Sequence, residues 1–162
     1  MDGSYIVYGS PGSSSVPVEA ALALSGVPYE VIGEVVLRDV AHNPAGFKVN
    51  PLGQVPALVL PSGEVMTESA AILIWLADRF PDAALAPAPT DQRRPAFLRW
   101  MTYVSPAIYG LAWTRGDPKR IISDESQADV VLNRIADRRA DAEPRLAELW
   151  KARFAFHDGW EG

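Results

Sequence analysis

Residues 50–70, with the sequence NPLGQVPALVLPSGEVMTESA, constrain the fold more than any other part of the chain. Residues 57–60 form a short apolar run of the length expected for a buried strand. Pro61-Ser62-Gly63 supplies turn residues before a second short run at 64–67. Apolar residues then recur with helical spacing until Arg79-Phe80-Pro81. The stretch therefore predicts an antiparallel hairpin followed by a helix.

Pro56 stands immediately before the first strand of this hairpin. A proline is tolerated there because the first residue of a strand need not donate a ladder hydrogen bond. The Val55-Pro56 bond lies in a tight turn and is a candidate for the cis isomer, which the sequence leaves open. In the cis form, the N–H and C=O of Val55 point away from the sheet and can pair with an extended peptide. We therefore expect backbone groups at this turn to serve a ligand.

Thr67-Glu68-Ser69 occupies the start of the predicted helix. Free N–H groups at a helix start favour an anion, so a ligand carboxylate can sit on the Ser69 N–H and hydroxyl. The Glu68 carboxylate can accept from an ammonium group. Together with the peptide edge, these groups predict a ligand with an amino-acid head group and a peptide body. The alternative interpretation is that Glu68 and Ser69 only cap their helix.

The rest of the first 80 residues supplies the remaining elements of an α/β domain. Residues 5–8 (YIVY) predict a buried strand, the polar loop SPGSSSVP follows, and residues 16–25 predict a helix. Residues 29–36 predict a second strand, and residues 41–49 contain two short helix-capable pieces. The order β-α-β-α-β-β-α is that of a thioredoxin-like domain, which we place at residues 1–80.

Residues 81–90, rich in proline and alanine, form the predicted linker, and residues 91–162 form an all-helical domain. One helix is expected from Thr90-Asp91 to about residue 114, with a kink at Pro106. A second is expected from 124 to about 151, interrupted or bent by Pro144.

Composition excludes several classes of chemistry. The chain of 162 residues has no cysteine, which removes disulfides, thiolate metal sites and cysteine nucleophiles. Two histidines make a histidine-rich metal site unexpected, so we predict no metal. A net charge of −5 without a basic cluster disfavours nucleic acid. No apolar run approaches the roughly 20 residues of a membrane span, and the N-terminus is unlike a signal peptide, so we predict a cytoplasmic protein without membrane contact.

Two motifs together resemble the N-terminal domain of the glutathione transferase family. Asn-Pro-x-Gly-x-Val-Pro-x-Leu is present at 50–58, and Glu-Ser-x-Ala-Ile at 68–72. The resemblance implies a bacterial member of serine-type or beta-like character. It also implies glutathione as co-substrate, stabilisation of its thiolate, and conjugation to an apolar electrophilic small molecule.

In this family, the residue that activates glutathione lies in the loop after the first strand. Ser13, Ser14 and Ser15 compete for that role. Bacterial members with Pro-Gly-x-Cys-Ser place Ser14 at the cysteine position, whereas serine-type members favour Ser13, which directly follows Pro11-Gly12. The expected chemistry is donation of the serine O–H to the glutathione sulfur, which stabilises the thiolate. The alternative is that SPGSSS is a polar turn and one serine is the N-cap.

The resemblance implies further site residues. Those expected to bind glutathione are Val55, Pro56, Glu68, Ser69, Gln54, His42 and Lys48. His42 and Lys48, with Gln54, fall near the glycine carboxylate of glutathione, although Lys48 can be a solvated charge and His42 a loop cap. Residues expected to line an electrophile pocket are Tyr103, Tyr109 and Trp113.

The helical domain is shorter than the family pattern, because the buried helix that follows in typical members has no counterpart. Apolar helix faces left uncovered favour a homodimer. Three functions remain open: a conjugating enzyme, a non-catalytic interaction module or degraded enzyme, and a glutathione-dependent disulfide reductase that needs no protein cysteine.

Overall fold

A computed structural model of the protein describes residues 4–33 and 49–154. Backbone contacts divide the chain into two compact units, Met1–Ser105 and Pro106–Gly162. The first unit contains a four-stranded sheet in the order β2-β1-β3-β4. Its strands are β1 Tyr5–Tyr8, β2 Tyr29–Ile32, β3 Ala57–Val59 and β4 Val65–Thr67.

The sheet is mixed: β1 pairs in parallel with β2 and antiparallel with β3, and β3 pairs antiparallel with β4. The predicted hairpin is therefore confirmed. Its turn uses Gly63 at φ 86°, a left-handed conformation that glycine adopts without steric penalty. With the helices that pack on the sheet, this arrangement confirms the predicted thioredoxin-like fold.

Two helices supply the apolar layer that covers the sheet. They are α1, Val16–Leu24, and α2, Ser69–Arg79, and they contact each other. Leu22 of α1 and Ile72 and Leu76 of α2 are fully buried with Val7 and Leu58 of the central strands. Burial of one such side chain contributes about 1.5–3 kcal/mol. The strands that carry the core are thus also those that present the loops described below.

The pairing register brings three chain segments to one end of the sheet. Tyr8, the last residue of β1, pairs with Ala57, the first residue of β3. Ala57 also pairs with Thr67, the last residue of β4. The chain therefore leaves β1, enters β3 and leaves β4 at the same end. The serine loop, the Val55-Pro56 turn and the start of α2 must all lie there.

The chain after α2 remains attached to that helix in the first unit. A 3₁₀ turn at Pro81–Ala83 is followed by α3, Arg94–Val104. The buried Arg94 guanidinium donates to the Asp78 carboxylate at 2.8 Å and to the Pro87 carbonyl at 3.0 Å. This contact links the end of α2, the proline-rich segment and α3. The domain boundary at 81–90 stays a prediction, since the compact units divide after Ser105.

The helix expected to kink at Pro106 departs from α-helical winding at that residue, and the kink itself stays a prediction. Following α3, residues Ser105–Tyr109 form a π-helical segment, and α4 follows at Gly110–Gly116. Proline has no N–H for the α-helical ladder, and one wider turn accommodates that loss.

The second long helix differs from its prediction at two points. It is α5, Ala128–Phe154, and it begins after a 3₁₀ turn at Glu125–Gln127 that is capped by Asp124. The Asp124 carboxylate accepts from the Ser126 N–H at 2.9 Å. The helix continues through Pro144, so the predicted interruption is not found.

Candidate functional site

The serine loop and the Val55-Pro56 turn are joined by a direct hydrogen bond. The hydroxyl of Ser14 donates to the Val55 carbonyl oxygen at 3.1 Å, across 41 positions of sequence. The Val55-Pro56 peptide bond is cis, which settles the isomer that the sequence left open. Pro56 is buried and Val55 is half-buried. Of the serines expected to act here, Ser14 is the one that the structure brings to the peptide edge.

The other two hydroxyls of the loop bond to one another. Ser13 Oγ lies 3.0 Å from Ser15 Oγ and accepts from the Ser15 N–H at 3.2 Å. The fully buried Ser15 donates to the Glu19 carboxylate at 2.9 Å. Ser15 fits at the end of β1 because Gly9 has no side chain, and a Cβ there would come within 2.4 Å of the Ser15 oxygen. Ser15 was among the three candidate serines, but Glu19 was missed, although the spacing of four between them at a helix start is a signal for such a contact.

Glu68 has a backbone conformation that is unusual for a residue with a side chain. Its φ of 65° and ψ of 104° place it in the left-handed half of conformational space. Its exposed carboxylate makes no capping hydrogen bond and has no partner within the described residues. Glu68 is therefore the N-cap residue by position, but its side chain does not cap the helix. Residues held in such conformations occur often at ligand-binding sites.

The first turn of α2 presents free backbone donors beside Glu68. The first intrahelical bond runs from the Ile72 N–H to the Glu68 oxygen at 3.0 Å. The three preceding N–H groups, beginning with that of Ser69, therefore have no acceptor inside the helix. Ser69 is 9% exposed. Together, these donors and the helix dipole can bind a carboxylate.

Asn50 organises the turn that carries Gln54 and Val55. Its side-chain amide donates to the Gln54 carbonyl at 2.8 Å, and its side-chain oxygen accepts from the Leu52 N–H at 3.1 Å. Asn50 is 4% exposed, so its side chain is held inside the turn while its partners Leu52 and Gln54 lie at the surface. The Gln54 side chain is exposed, and the role expected for it stays a prediction. Asn50 was used only as part of a motif, although asparagine before Pro-x-Gly is a known signal for this kind of turn.

Five further predicted site residues are not brought together with the others by the described part of the structure. His42 and Lys48 lie outside the described residues. Tyr103, on α3, is 42% exposed and makes an edge contact with Trp100 at a ring distance of 5.8 Å. Tyr109 ends the π-helical segment and is half-buried, and Trp113 lies on α4. The electrophile pocket stays a prediction.

Residues 4–33 and 49–154 contain no group of three or more acidic or histidine side chains arranged to hold a metal ion. Within the same residues, no helix has the length and apolar character required to cross a membrane.

Comparison with known proteins gives matches over the region that contains this site. The family model described as glutathione S-transferase, N-terminal domain, matches residues 13–79. The structure of a sphingomonad glutathione S-transferase complexed with glutathione is 30% identical, with a TM-score of 0.70. The alignment covers 88% of this chain and 70% of that one.

Two curated proteins are similar over shorter regions. Glutathione S-transferase GstA of Escherichia coli O157:H7 is 31% identical over 100 residues, which are 61% of this chain and 50% of that protein. Maleylacetoacetate isomerase of Pseudomonas aeruginosa is 40% identical over 75 residues, 45% of this chain and 35% of that protein. The chain spans half the length of the transferase.

The fold defines the class: a thioredoxin-like domain followed by helices. The family model that matches residues 13–79 and the sphingomonad structure then identify the family. The chain belongs to the glutathione S-transferase family.

Proposed function

We propose that the protein binds reduced glutathione at the end of its sheet, stabilises the thiolate, and conjugates it to an electrophilic small molecule. The observation that carries the proposal is the Ser14–Val55 hydrogen bond of 3.1 Å. This bond supports the proposal because it joins the hydroxyl that would contact the thiol to the backbone that would pair with the peptide. Solved relatives that contain glutathione, such as the sphingomonad enzyme, support this choice of ligand.

Glutathione has the three groups that the site can recognise. Its cysteinyl N–H and C=O pair with the C=O and N–H of Val55, as an added strand pairs with a sheet edge. Its γ-glutamyl carboxylate binds the free N–H groups and hydroxyl of Ser69. Its ammonium group binds the Glu68 carboxylate, and the cis Pro56 shapes the turn that presents the peptide edge. Gln54, His42 and Lys48 complete the proposed site towards the glycine carboxylate.

In the proposed reaction, the Ser14 hydroxyl donates a hydrogen bond to the glutathione sulfur. Because this bond favours the charged form, it lowers the pKa of the ligand thiol, whose proton leaves to solvent. The thiolate attacks the electrophilic carbon, a carbon–sulfur bond forms, and the leaving group departs with its electron pair. Ser14 retains its own proton throughout and is not the nucleophile.

A second candidate is glutathione-dependent isomerisation. It is favoured by the 40% identity to the Pseudomonas isomerase over 75 residues. Both reactions start from the same thiolate, so the binding site described above serves either. Turnover of an aryl chloride activated by nitro groups supports conjugation, whereas turnover only of a substrate with an activated double bond supports isomerisation.

The assembly and the second substrate belong to the same proposal. The apolar side chain of Leu52 is 72% exposed and lies in the turn that carries Val55. Such an exposed apolar group is consistent with a homodimer. The mass of the protein in solution tests this directly. Tyr103, Tyr109 and Trp113 are the proposed lining for an apolar electrophile. A cytoplasmic location remains a prediction.

Calorimetric titration with reduced glutathione tests the proposed function. We expect the paired variant Glu68→Ala, Ser69→Ala to lose at least about tenfold in affinity, because a hydrogen bond to a charged group contributes about 1.5–3 kcal/mol. The matched control is Ser62→Ala, Glu64→Ala in the exposed hairpin turn, which should bind as the wild type does. Unchanged binding in the first variant would contradict the site.

Two further outcomes separate the alternatives. No binding by a folded wild-type protein would favour the interaction module. Binding with release of thiol from a mixed glutathione disulfide, but no conjugation, would favour the disulfide reductase.

A further inference from the structure

The three serines that follow Gly12 differ in whether their hydroxyl groups are free to donate a hydrogen bond to a ligand. Ser15 is 0% exposed, and its Oγ lies 2.9 Å from Glu19 Oε1. Its other acceptor, the Ser10 carbonyl oxygen, is more distant at 3.4 Å. A hydroxyl has one proton, and a hydrogen bond to a carboxylate is stronger than one to a neutral carbonyl. The proton of Ser15 therefore points to Glu19.

The direction of this bond determines the direction of the next one. Ser13 Oγ and Ser15 Oγ are 3.0 Å apart, and the distance alone allows either atom to be the donor. Because Ser15 donates to Glu19, Ser13 must donate to Ser15. Ser13 Oγ also accepts from the Ser15 N–H at 3.2 Å. The Ser13 hydroxyl thus uses its proton and one lone pair within the loop.

Ser14 differs because its proton is held by a group that a ligand can satisfy in its place. Its hydroxyl donates to the neutral carbonyl of Val55. A peptide N–H that arrives at this carbonyl can replace Ser14 as donor. The hydroxyl then rotates about its Cβ–Oγ bond and becomes free for another acceptor. Arrival of the ligand and release of the Ser14 hydroxyl from its hydrogen bond are therefore coupled at one carbonyl oxygen, that of Val55.

We propose that Glu19 is a positioning residue that, through Ser15, keeps the Ser13 proton within the loop and leaves Ser14 as the donor to the glutathione sulfur. The inference rests on the proposed function and adds to it the residue, Glu19, that determines whether Ser13 or Ser14 donates to the sulfur. Hydrogen bonds are exchanged and no covalent bond changes in this step.

Amide hydrogen exchange of the protein without glutathione tests the network itself. The Ser10 N–H donates to Ser15 Oγ at 3.3 Å, and the Ser15 N–H donates to Ser13. With Glu19→Ala, we expect both amides to exchange about tenfold faster, since each loses an oriented acceptor. The control is Glu30→Ala, an exposed glutamate on β2, which should leave both rates unchanged. Unchanged rates in Glu19→Ala would overturn the proposal.

The pKa of the bound glutathione thiol, followed by the ultraviolet absorbance of its thiolate, tests the choice of donor. With Glu19 present, Ser14→Ala should raise that pKa by about 1–2 units, and Ser13→Ala should leave it unchanged. When Glu19→Ala is also present, the effect of Ser14→Ala should become smaller, because Ser13 is released to donate. Glu19→Gln should give a smaller change than Glu19→Ala, since its amide oxygen can still accept from Ser15 but is neutral, like the competing Ser10 carbonyl.

The possible results separate this inference from the proposed function. A Ser13→Ala effect as large as that of Ser14→Ala, or an equal Ser14→Ala effect with and without Glu19, overturns the inference while glutathione binding stands. A wild-type protein that binds no glutathione overturns the proposed function and, with it, the role of Ser14 as donor. A loss of stability in Glu19→Ala without these pKa changes shows that Glu19 is only structural, which also overturns the inference.

Discussion

The backbone of Glu68 offers a direct test of whether conformational strain is held at the candidate site. A residue with a Cβ at φ 65° and ψ 104° costs about 1–3 kcal/mol relative to an ordinary conformation. Glycine has no Cβ and avoids most of that cost, but its greater freedom in the unfolded chain costs about 0.5–1 kcal/mol. The difference predicts that Glu68→Gly is more stable than Glu68→Ala by about 1 kcal/mol.

Comparison of these two variants isolates the backbone, because both lack the carboxylate. Urea unfolding should give a higher midpoint for Glu68→Gly, and thermal unfolding should show a gain of about 2–4 °C for a chain of this size. Both variants should lose glutathione affinity to a similar extent. Stability and binding are thus expected to change in opposite directions at one position.

The exposed Glu64 provides the matched control, because it lies outside the positive-φ region. There, the glycine variant should be less stable than the alanine variant by about 0.5–1 kcal/mol, which is the opposite sign. If Glu68→Gly is no more stable than Glu68→Ala while the Glu64 pair behaves as expected, the reasoning from strain is refuted.

Two other features of the chain carry predictions for stability. Gly9→Ala should destabilise the protein by about 1–3 kcal/mol, because the added Cβ overlaps Ser15. Gly110→Ala in α4 should stabilise the protein by about 0.5–1 kcal/mol, because no described atom beyond the neighbouring helix backbone lies within 4 Å of the added Cβ. Equal urea midpoints for the two variants would contradict both expectations. Hydrogen bonds from Arg93 lower the pKa of the Asp91 carboxyl from 3.8 to about 2. The bond from the Arg93 side chain has the largest effect, and the bond from its backbone N–H comes second. Because the folded-state pKa is lowered, the Asp91 contribution is present above about pH 4 and is lost as the pH falls through about 2, so the stability difference between wild type and Asp91→Asn should shrink over that interval. A constant difference would show that the contact does not depend on ionisation.

Local sequence signals predicted most of the first unit because they act over a few residues. The Pro-Ser-Gly turn at 61–63 fixes the hairpin, and apolar spacing fixes the face that α2 buries. The site at the end of the sheet follows from the same signals. Once the hairpin and the first strand are placed, the register brings Ser14, Val55 and Glu68 to one end.

Features that depend on competition between contacts were not accessible from the sequence. Three adjacent serines have the same chemistry, and what distinguishes them, the bond of Ser14 to Val55 and the fit of Ser15 against Gly9, depends on the folded backbone. The positive φ of Glu68 has no sequence signal, because glutamate is uncommon in that region. At Pro106, the missing N–H predicts a disturbance of the helix but does not specify that it includes a π-helical turn.

The candidate site depends on backbone groups more than on side chains, and this determines which positions tolerate change. Gln54 contributes its carbonyl oxygen to Asn50 while its own side chain is exposed, so Gln54→Ala keeps the 2.8 Å bond that shapes the turn. Asn50 contributes through its side chain, and Asn50→Ala removes the hydrogen bond to the Gln54 carbonyl, at a cost of about 0.5–1.5 kcal/mol. In the proposed binding mode, Val55 likewise offers a ligand only its backbone N–H and C=O, which any residue except proline would supply. Side-chain identity is therefore decisive where the structure uses the side chain itself, at Asn50 and Ser14, whereas at Glu68 it matters through the proposed contact with the ligand ammonium group.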